Sequence, residues 1–145
     1  RLEMTRRVGA RIERDARAEL GYRPSGSPGD VGGMRNATGA VLGWFAAKGY
    51  VREAHLRDFL DTGESRAAWE ASGEGSFSYV MSDPVILPSA QRLFAEHGFA
   101  QHFSSRTLEA LFAAYGVDAR EDESFDPREH PASGVVERWT LRRRR

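Results

Sequence analysis

The side chains in this sequence that are best suited to chemistry are its arginines. The chain holds 21 basic residues, and Lys48 is the single lysine among them. A guanidinium is planar and always charged, and it can grip a phosphate or carboxylate through two parallel hydrogen bonds. A GC-rich genome also produces an excess of arginine. The positions of the arginines therefore carry more information than their number.

Several arginines fall where a phosphate backbone could reach them. The predicted helix that starts near Ser104 places Arg106 and Thr107 on its outward face, and a later strand places Arg138 outward. The candidate nucleic-acid contacts are Arg106, Thr107, Arg138, Arg142, Arg143, Arg144 and Arg145. The arginines of the first helix form a second basic surface. Because the net charge is zero, any anion-binding surface must be local.

The sequence gives little support for a catalytic, cofactor-binding or metal site. The absence of cysteine excludes disulfides, a thiol nucleophile and every cysteine-ligated metal. The glycine-rich segment at residues 21–33 lacks the Gly-Lys-Ser/Thr ending of a P-loop and the preceding strand of a dinucleotide-binding fold. His102, close to Ser104 and Ser105, is the one catalytic candidate, but no carboxylate is identifiable that would orient it. We therefore expect a protein without cofactor, metal or enzymatic activity.

An acidic run at residues 118–129, with His130 beyond it, is a candidate cation site. Carboxylates suit Mg²⁺ and Ca²⁺, but the run lacks the spacing and the glycine of a calcium loop. A solvated acidic loop is the better interpretation. It supplies an alternative function, in which the chain is a protein-interaction module, an inhibitor or adaptor, that presents this loop to a basic partner.

Hydrophobic periodicity predicts the elements that would position these groups. In the first helix, residues 4–20, apolar side chains recur every four residues. Residues 21–33 are rich in Gly, Pro and Ser and predict a flexible loop. Further helices are predicted over residues 36–48, 52–60 and 65–71, and a strand over 77–81. The third helix and the helix near residue 97 would place His55 and His97 at the edge of the core.

Three predicted helices share one ending. The strings "WFAAKGY", "LFAEHGF" and "LFAAYGV" each end in a glycine followed by an apolar residue. This pattern is typical of a left-handed glycine cap, so we expect positive φ at Gly49, Gly98 and Gly116. The side chains expected in the core are Trp44, Phe45, Phe94, Leu108, Leu111, Phe112 and Trp139.

The segment around residues 90–117 resembles a known DNA-binding motif. The string "AQRLFAEHGF" and the Ser-x-x-x-Leu start at Ser104 are similar to a TetR-type helix-turn-helix, and the strands that follow are similar to a wing. That family continues with a Gly-x-Leu-Tyr-x-His-Phe helix where this chain has an acidic run. The resemblance is therefore to a generic winged helix over residues 85–141, and it implies DNA binding in transcription control.

These expectations describe one mostly helical α+β domain over residues 1–145. Helices form its first half, and a helix-turn-helix with a β-hairpin forms the winged-helix-like second half. Residues 1–3, ahead of Met4, have the character of a cloning sequence. No apolar run approaches the ~18 residues of a membrane span and no signal peptide is recognisable, so we expect a cytoplasmic protein.

Overall fold

A computed structural model describes residues 2–82, 103–122 and 135–144 of the chain. Within these ranges the protein is α+β, with four helices and a four-stranded antiparallel sheet, which confirms the expected class. The elements are α1 (Leu2–Leu20), α2 (Val31–Ala47), β1 (Glu53–Phe59), α3 (Gly63–Ser72), β2 (Glu74–Ser82), α4 (Phe103–Ala114), β3 (Val117–Glu121) and β4 (Val135–Arg143). None of these helices is long and apolar enough to cross a membrane.

The sheet has the strand order β1-β2-β4-β3, so β3 is an edge strand of the described sheet. Along β3 and β4, side chains alternate between a buried face and an exposed face of the sheet. On β4, Trp139 and Leu141 are buried, whereas Arg138, Thr140 and Arg142 are exposed, as the sequence predicted. One face of the sheet is therefore covered and the other carries arginines.

The covered face packs against helices. The Phe112 ring of α4 stacks on Phe59 of β1, with centroids 6.0 Å apart and planes 11° apart, and it also contacts Phe77 of β2. Helix α1 packs against α4. At their crossing, a Cβ on Gly9 would lie only 2.5 Å from the Cβ of Arg106. The close approach of α1 and α4 therefore depends on glycine at this position.

The predicted core is confirmed wherever the structure describes it. All of the expected side chains except Phe94 are buried, and Phe94 lies outside the described residues. Two of the three predicted glycine caps are also confirmed, with φ of 75° at Gly49 and 77° at Gly116. Gly98 lies outside the described residues. The pattern missed a further cap at Gly73, where φ is 71° after α3.

The helix predicted over residues 52–60 is wrong, because this segment forms β1. The register against β2 shifts between Leu56 and Asp58, which is the mark of a β-bulge. A bulge inserts one residue into the strand and breaks its alternation of apolar and polar residues. Ala54 and Phe59 then fall five residues apart, and the apolar spacing no longer has the period of a strand.

The start of α2 also differs from the prediction. The helix begins at Val31, so residues 31–33 are helical and not part of a loop. Its N-cap is Asp30, whose carboxylate accepts a hydrogen bond of 3.0 Å from the backbone N–H of Gly33. A Cβ on Gly33 would clash with that carboxylate. The glycine that suggested a loop is thus what lets the cap form.

Residues 21–30, between α1 and α2, are held by contacts with three other elements. The Tyr22 hydroxyl donates to Glu13 Oε1 at 2.9 Å, and the indole N–H of Trp69 donates to the carbonyl of Pro28 at 3.2 Å. The carbonyl of Gly26 lies 2.9 Å from where a Cβ on Gly116 would stand. This glycine-rich segment therefore has specific packing partners in α1, in α3 and at the end of α4.

The structure at the start of the acidic run also differs from the prediction. Residues 118–121 belong to β3, which pairs antiparallel with β4, and are not part of a solvated loop. The alternation of Val117 and Ala119 inward with Asp118 and Arg120 outward explains this strand. Residues 123–134, and the first helix of the predicted helix-turn-helix, lie outside the described residues.

Candidate nucleic-acid interface

A groove of about 580 Å³ lies where α1, α4 and β3 meet. Its charged lining comes from all three elements and from the residue after β4. The arginines that line it are Arg6, Arg14, Arg17, Arg106, Arg120 and Arg144. The acidic residues that line it are Glu13, Glu109 and Asp118. Arginine therefore outnumbers carboxylate by two to one, and the groove has a positive field.

Small side chains create the space in the groove. Ala10 of α1, Ala110 and Ala113 of α4, and Ala119 of β3 line it between the charged groups. A methyl group on each wall leaves a gap that a leucine or phenylalanine would fill. Volume in this range is typical of ligand pockets.

Each carboxylate in the groove already has an arginine partner. Arg17 pairs with Glu13 at 2.7 Å and Arg144 pairs with Asp118 at 2.6 Å. Arg106 pairs with Glu109, one helical turn away on α4. These pairs neutralise three of the six arginines.

The other three arginines in the lining are Arg6, Arg14 and Arg120. Among the described residues, no hydrogen bond or ion pair engages the guanidinium of Arg6, Arg14 or Arg120. Arg6 and Arg14 lie on α1 and Arg120 lies on β3, and all three are exposed. They supply the donors that a bound anion could use from two sides of the groove.

One wall of the groove is fixed by a buried network. Glu13 is only 2% exposed and accepts hydrogen bonds from both Arg17 and Tyr22. Burial, reinforced by the neighbouring Glu13 carboxylate, raises the pKa of the Tyr22 phenol above its ordinary value. Burial would lower the pKa of Arg17, but hydrogen bonding and charge attraction from Glu13 more than offset it, so that pKa is raised. The hydrogen bonds of this network hold the Arg17 guanidinium in place.

The exposed face of the sheet forms a second polar surface. Arg138 and Arg142 are exposed there, and Arg142 pairs with Glu74 at 3.1 Å. The hydroxyl of Ser78 donates to Asp58 at 2.9 Å on the same face. Glu74 and Asp58 balance the charges of Arg142 and Arg138, so this part of the described surface is less basic than the groove.

The structure divides the arginines that the sequence had grouped as one nucleic-acid surface. Arg106 and Arg144 line the groove, and Arg138 lies on the exposed face of the sheet. Arg143 turns toward α3 instead, with its guanidinium 5.9 Å from the centre of the Trp69 ring. Arg145 lies outside the described residues.

The predicted outward position of Thr107 on α4 is wrong. Its side chain is fully buried, and the side chain of Arg106 is only 23% exposed. The reason is that α4 packs against both α1 and the sheet. In this arrangement Thr107 has no surface to offer a ligand.

The sequence reasoning missed Arg120 and the groove itself. Arg120 was hidden in the acidic run, although its alternation with Val117 and Ala119 was a readable signal for an outward position. No periodicity within one element could show that three distant segments meet. The alanines at positions 110 and 113 were the remaining clue, because they leave one face of α4 unfilled.

Among the described residues, the geometry supports neither a histidine-based site nor a metal site. His55 is exposed on β1, not at the core edge, and its Nδ1 lies 3.3 Å from Glu53. No group of three metal-ligating side chains occurs among the residues that the structure describes. His97 and His102 lie outside them.

Comparison with known proteins identified no relative of this chain. The chain matches no protein-family model, no curated protein and no solved structure.

Proposed function

We propose that this chain is a nucleic-acid-binding protein that holds a phosphate backbone in the groove between α1, α4 and β3. The observation that carries the proposal is that Arg6, Arg14 and Arg120 face one concavity without a protein partner among the described residues. Charges of one sign that line a cleft focus the field and attract a polyanion. The proposed role is binding, with no catalytic step.

We also propose that α4, β3 and β4 form a winged-helix-like arrangement, and the order of the elements supports this. Helix α4 is followed by β3 and β4, which pair antiparallel as the strands of a wing do. The proposed docking differs from that of a recognition helix in the major groove, because Thr107 is buried and Arg106 is paired with Glu109. A role in transcription control would require duplex DNA as the ligand.

The composition of the groove favours binding through the backbone and not through the bases. None of the described residues that line it is aromatic, so it offers no ring on which a base could stack. The same described lining contains no asparagine or glutamine, the side chains that read adenine. We therefore expect affinity that depends strongly on salt and weakly on sequence.

The first experiment removes the three unpartnered arginines together. The variant R6Q/R14Q/R120Q is compared with R23Q/R52Q/R57Q, which removes the same charge from exposed positions outside the groove. Binding of labelled oligonucleotide is measured by fluorescence anisotropy over a range of salt. For the groove variant, the slope of log K against log salt should be less steep by about 2–3, because each of three lost phosphate contacts contributes ~0.7–0.9.

The control variant should keep a slope close to that of the wild type. Equal losses in the two variants would show that total charge, and not the groove, determines binding. No measurable binding by the wild-type chain at low salt would overturn the proposed function itself.

A second substitution separates this proposal from an adaptor that uses acidic residues. Asp118→Asn removes the carboxylate that neutralises Arg144 and leaves that guanidinium available to a ligand. Nucleic-acid affinity should rise, with a salt slope steeper by about 0.7–0.9. An adaptor that presents Asp118 to a basic partner requires the opposite, a weaker complex with a polyarginine peptide and no gain for nucleic acid.

A further inference from the structure

We infer that the groove takes a single strand of nucleic acid in preference to a duplex, an inference that rests on the proposed function. The unpartnered arginines lie on two sides of a concavity, on α1 and on β3. A ligand that reaches both sides must enter the space between them. The shape of the ligand is therefore constrained as well as its charge.

A duplex fits this shape poorly. Double-stranded DNA is stiff over about 150 base pairs, and proteins read it by inserting a helix or ribbon into its grooves. Helix α4, the natural candidate, is packed between α1 and the sheet, with Thr107 and Leu108 fully buried. A single strand is flexible and can follow a concave path.

Strand β3 adds a main-chain donor at the wall of the groove. Asp122 N–H donates to the carbonyl of Arg138, and Arg144 N–H donates to the carbonyl of Gly116, so alternate residues of β3 bond to β4. This register directs the N–H group of Ala119 away from β4, on the side where Ala119 lines the groove. Val117 has the same orientation but is fully buried, so it offers a ligand no donor. Phosphate oxygens accept such backbone donors.

An extended acidic peptide could also use an edge strand and arginines. Peptides that add to a sheet edge gain specificity from pockets for alternate side chains. The described residues between the charged groups of the groove are small and apolar, mainly alanines, and they form no such pocket. The lining therefore favours a phosphodiester chain over a peptide.

The first test compares two ligands of equal length at low salt. Labelled oligothymidylate of about 12 nucleotides, within the ~4–16 nucleotides that single-strand sites span, is set against a duplex of the same length. The single strand should bind at least about tenfold more tightly. Equal or tighter duplex binding overturns the inference and leaves the proposed function standing. Binding of neither ligand overturns both. Displacement of the single strand by an equal charge concentration of polyglutamate assigns the groove to acidic peptides and overturns the inference.

The second test fills the groove without changing its charge. Ala110→Leu and Ala113→Leu each place a larger side chain in the groove. Ala67→Leu, at an exposed position of α3 outside the groove, is the matched control. Single-strand affinity should fall for both groove variants, by about tenfold, and stay unchanged for the control. Wild-type affinity in a groove variant whose circular dichroism is native would overturn the inference. If one groove variant does not fold, the other variant still tests the inference. The comparison of single strand with duplex uses the wild-type chain and requires neither variant.

Discussion

Two of the arginines in this groove are paired with a carboxylate three or four positions away on the same helix. Arg17 has Glu13 four residues before it, and Arg106 has Glu109 three residues after it, so both are paired. Arg14 has Ala10 and Ala18 at four residues on either side. Its guanidinium consequently has no intrahelical carboxylate to bind. Spacing alone does not decide the pairing, because Arg6 has Glu3 three residues before it and Glu3 pairs with Arg7 instead.

At the residue scale, Tyr22→Phe tests the buried network beside the groove. The substitution removes the hydroxyl that donates to Glu13 at 2.9 Å. Glu13 keeps Arg17 as a partner, so we expect the free energy of unfolding to fall by about 1–2 kcal/mol near neutral pH. Urea denaturation followed by circular dichroism measures this. A variant as stable as the wild type would show that the hydroxyl bond contributes nothing net.

The pH dependence of stability follows from the raised pKa of Tyr22. In the unfolded chain the phenol titrates near its ordinary value of about 10, and in the folded protein burial and Glu13 raise that pKa. The stabilisation is therefore fully present below about pH 10 and is lost as the pH rises above it. Wild-type stability should fall more steeply above pH 10 than that of the Tyr22→Phe variant. Parallel curves would contradict the assignment.

At the element scale, Gly9→Ala tests the crossing of α1 and α4. Alanine is intrinsically the better helix former by ~1 kcal/mol. Its Cβ would nevertheless lie 2.5 Å from Arg106 Cβ and 2.7 Å from the Arg106 carbonyl oxygen, which must force the helices apart. We expect a net loss of about 1–3 kcal/mol in the free energy of unfolding, measured by urea denaturation.

Gly43→Ala is the matched control within a helix. Gly43 lies in α2 and is exposed, and a Cβ added to it would meet no atom within 4 Å. Here only helix propensity acts, so alanine should stabilise by about 0.5–1 kcal/mol. Destabilisation at both glycines, or at neither, would show that the α1–α4 contact is not what requires glycine.

The elements that the sequence predicted well are those whose hydrophobic period is unbroken. In α4 the apolar residues Leu108, Leu111 and Phe112 keep the helical period and are all buried. In β1 the bulge after Leu56 breaks the strand period, and the prediction of a helix was wrong. A bulge depends on pairing with β2, which a reading of one segment at a time does not contain.

The candidate site was harder to predict than the fold for the same physical reason. Its arginines were visible, but their grouping depends on which segments meet. Arg6 and Arg120 lie more than a hundred positions apart in sequence and line one groove. What brings them together is the crossing at Gly9 and the position of β3 at the edge of the described sheet. Neither feature can be recognised from the residues of a single segment.

At the scale of the whole molecule, one continuous core joins the helices to the sheet. The buried cluster includes Ile12 of α1, Phe45 of α2, Trp69 of α3, Phe112 of α4 and Trp139 of β4. Replacing Phe112 by alanine would leave a cavity against Phe59 and Phe77. We expect this to lower the free energy of unfolding by ~3–5 kcal/mol. A loss below about 1 kcal/mol in urea denaturation would contradict the central position of Phe112.

The continuity of the core predicts that the chain unfolds as one unit. Its tryptophans report on three different elements, since Trp44 lies on α2, Trp69 on α3 and Trp139 on β4. Far-ultraviolet circular dichroism reports mainly on the helices. Because the same buried cluster holds all of these residues, denaturation curves from fluorescence and circular dichroism should coincide at one midpoint. Phe112→Ala should move both curves together. A fluorescence transition that precedes the loss of helix would mean that the sheet and the α1–α4 pair unfold separately, and the chain would then contain two cooperative units.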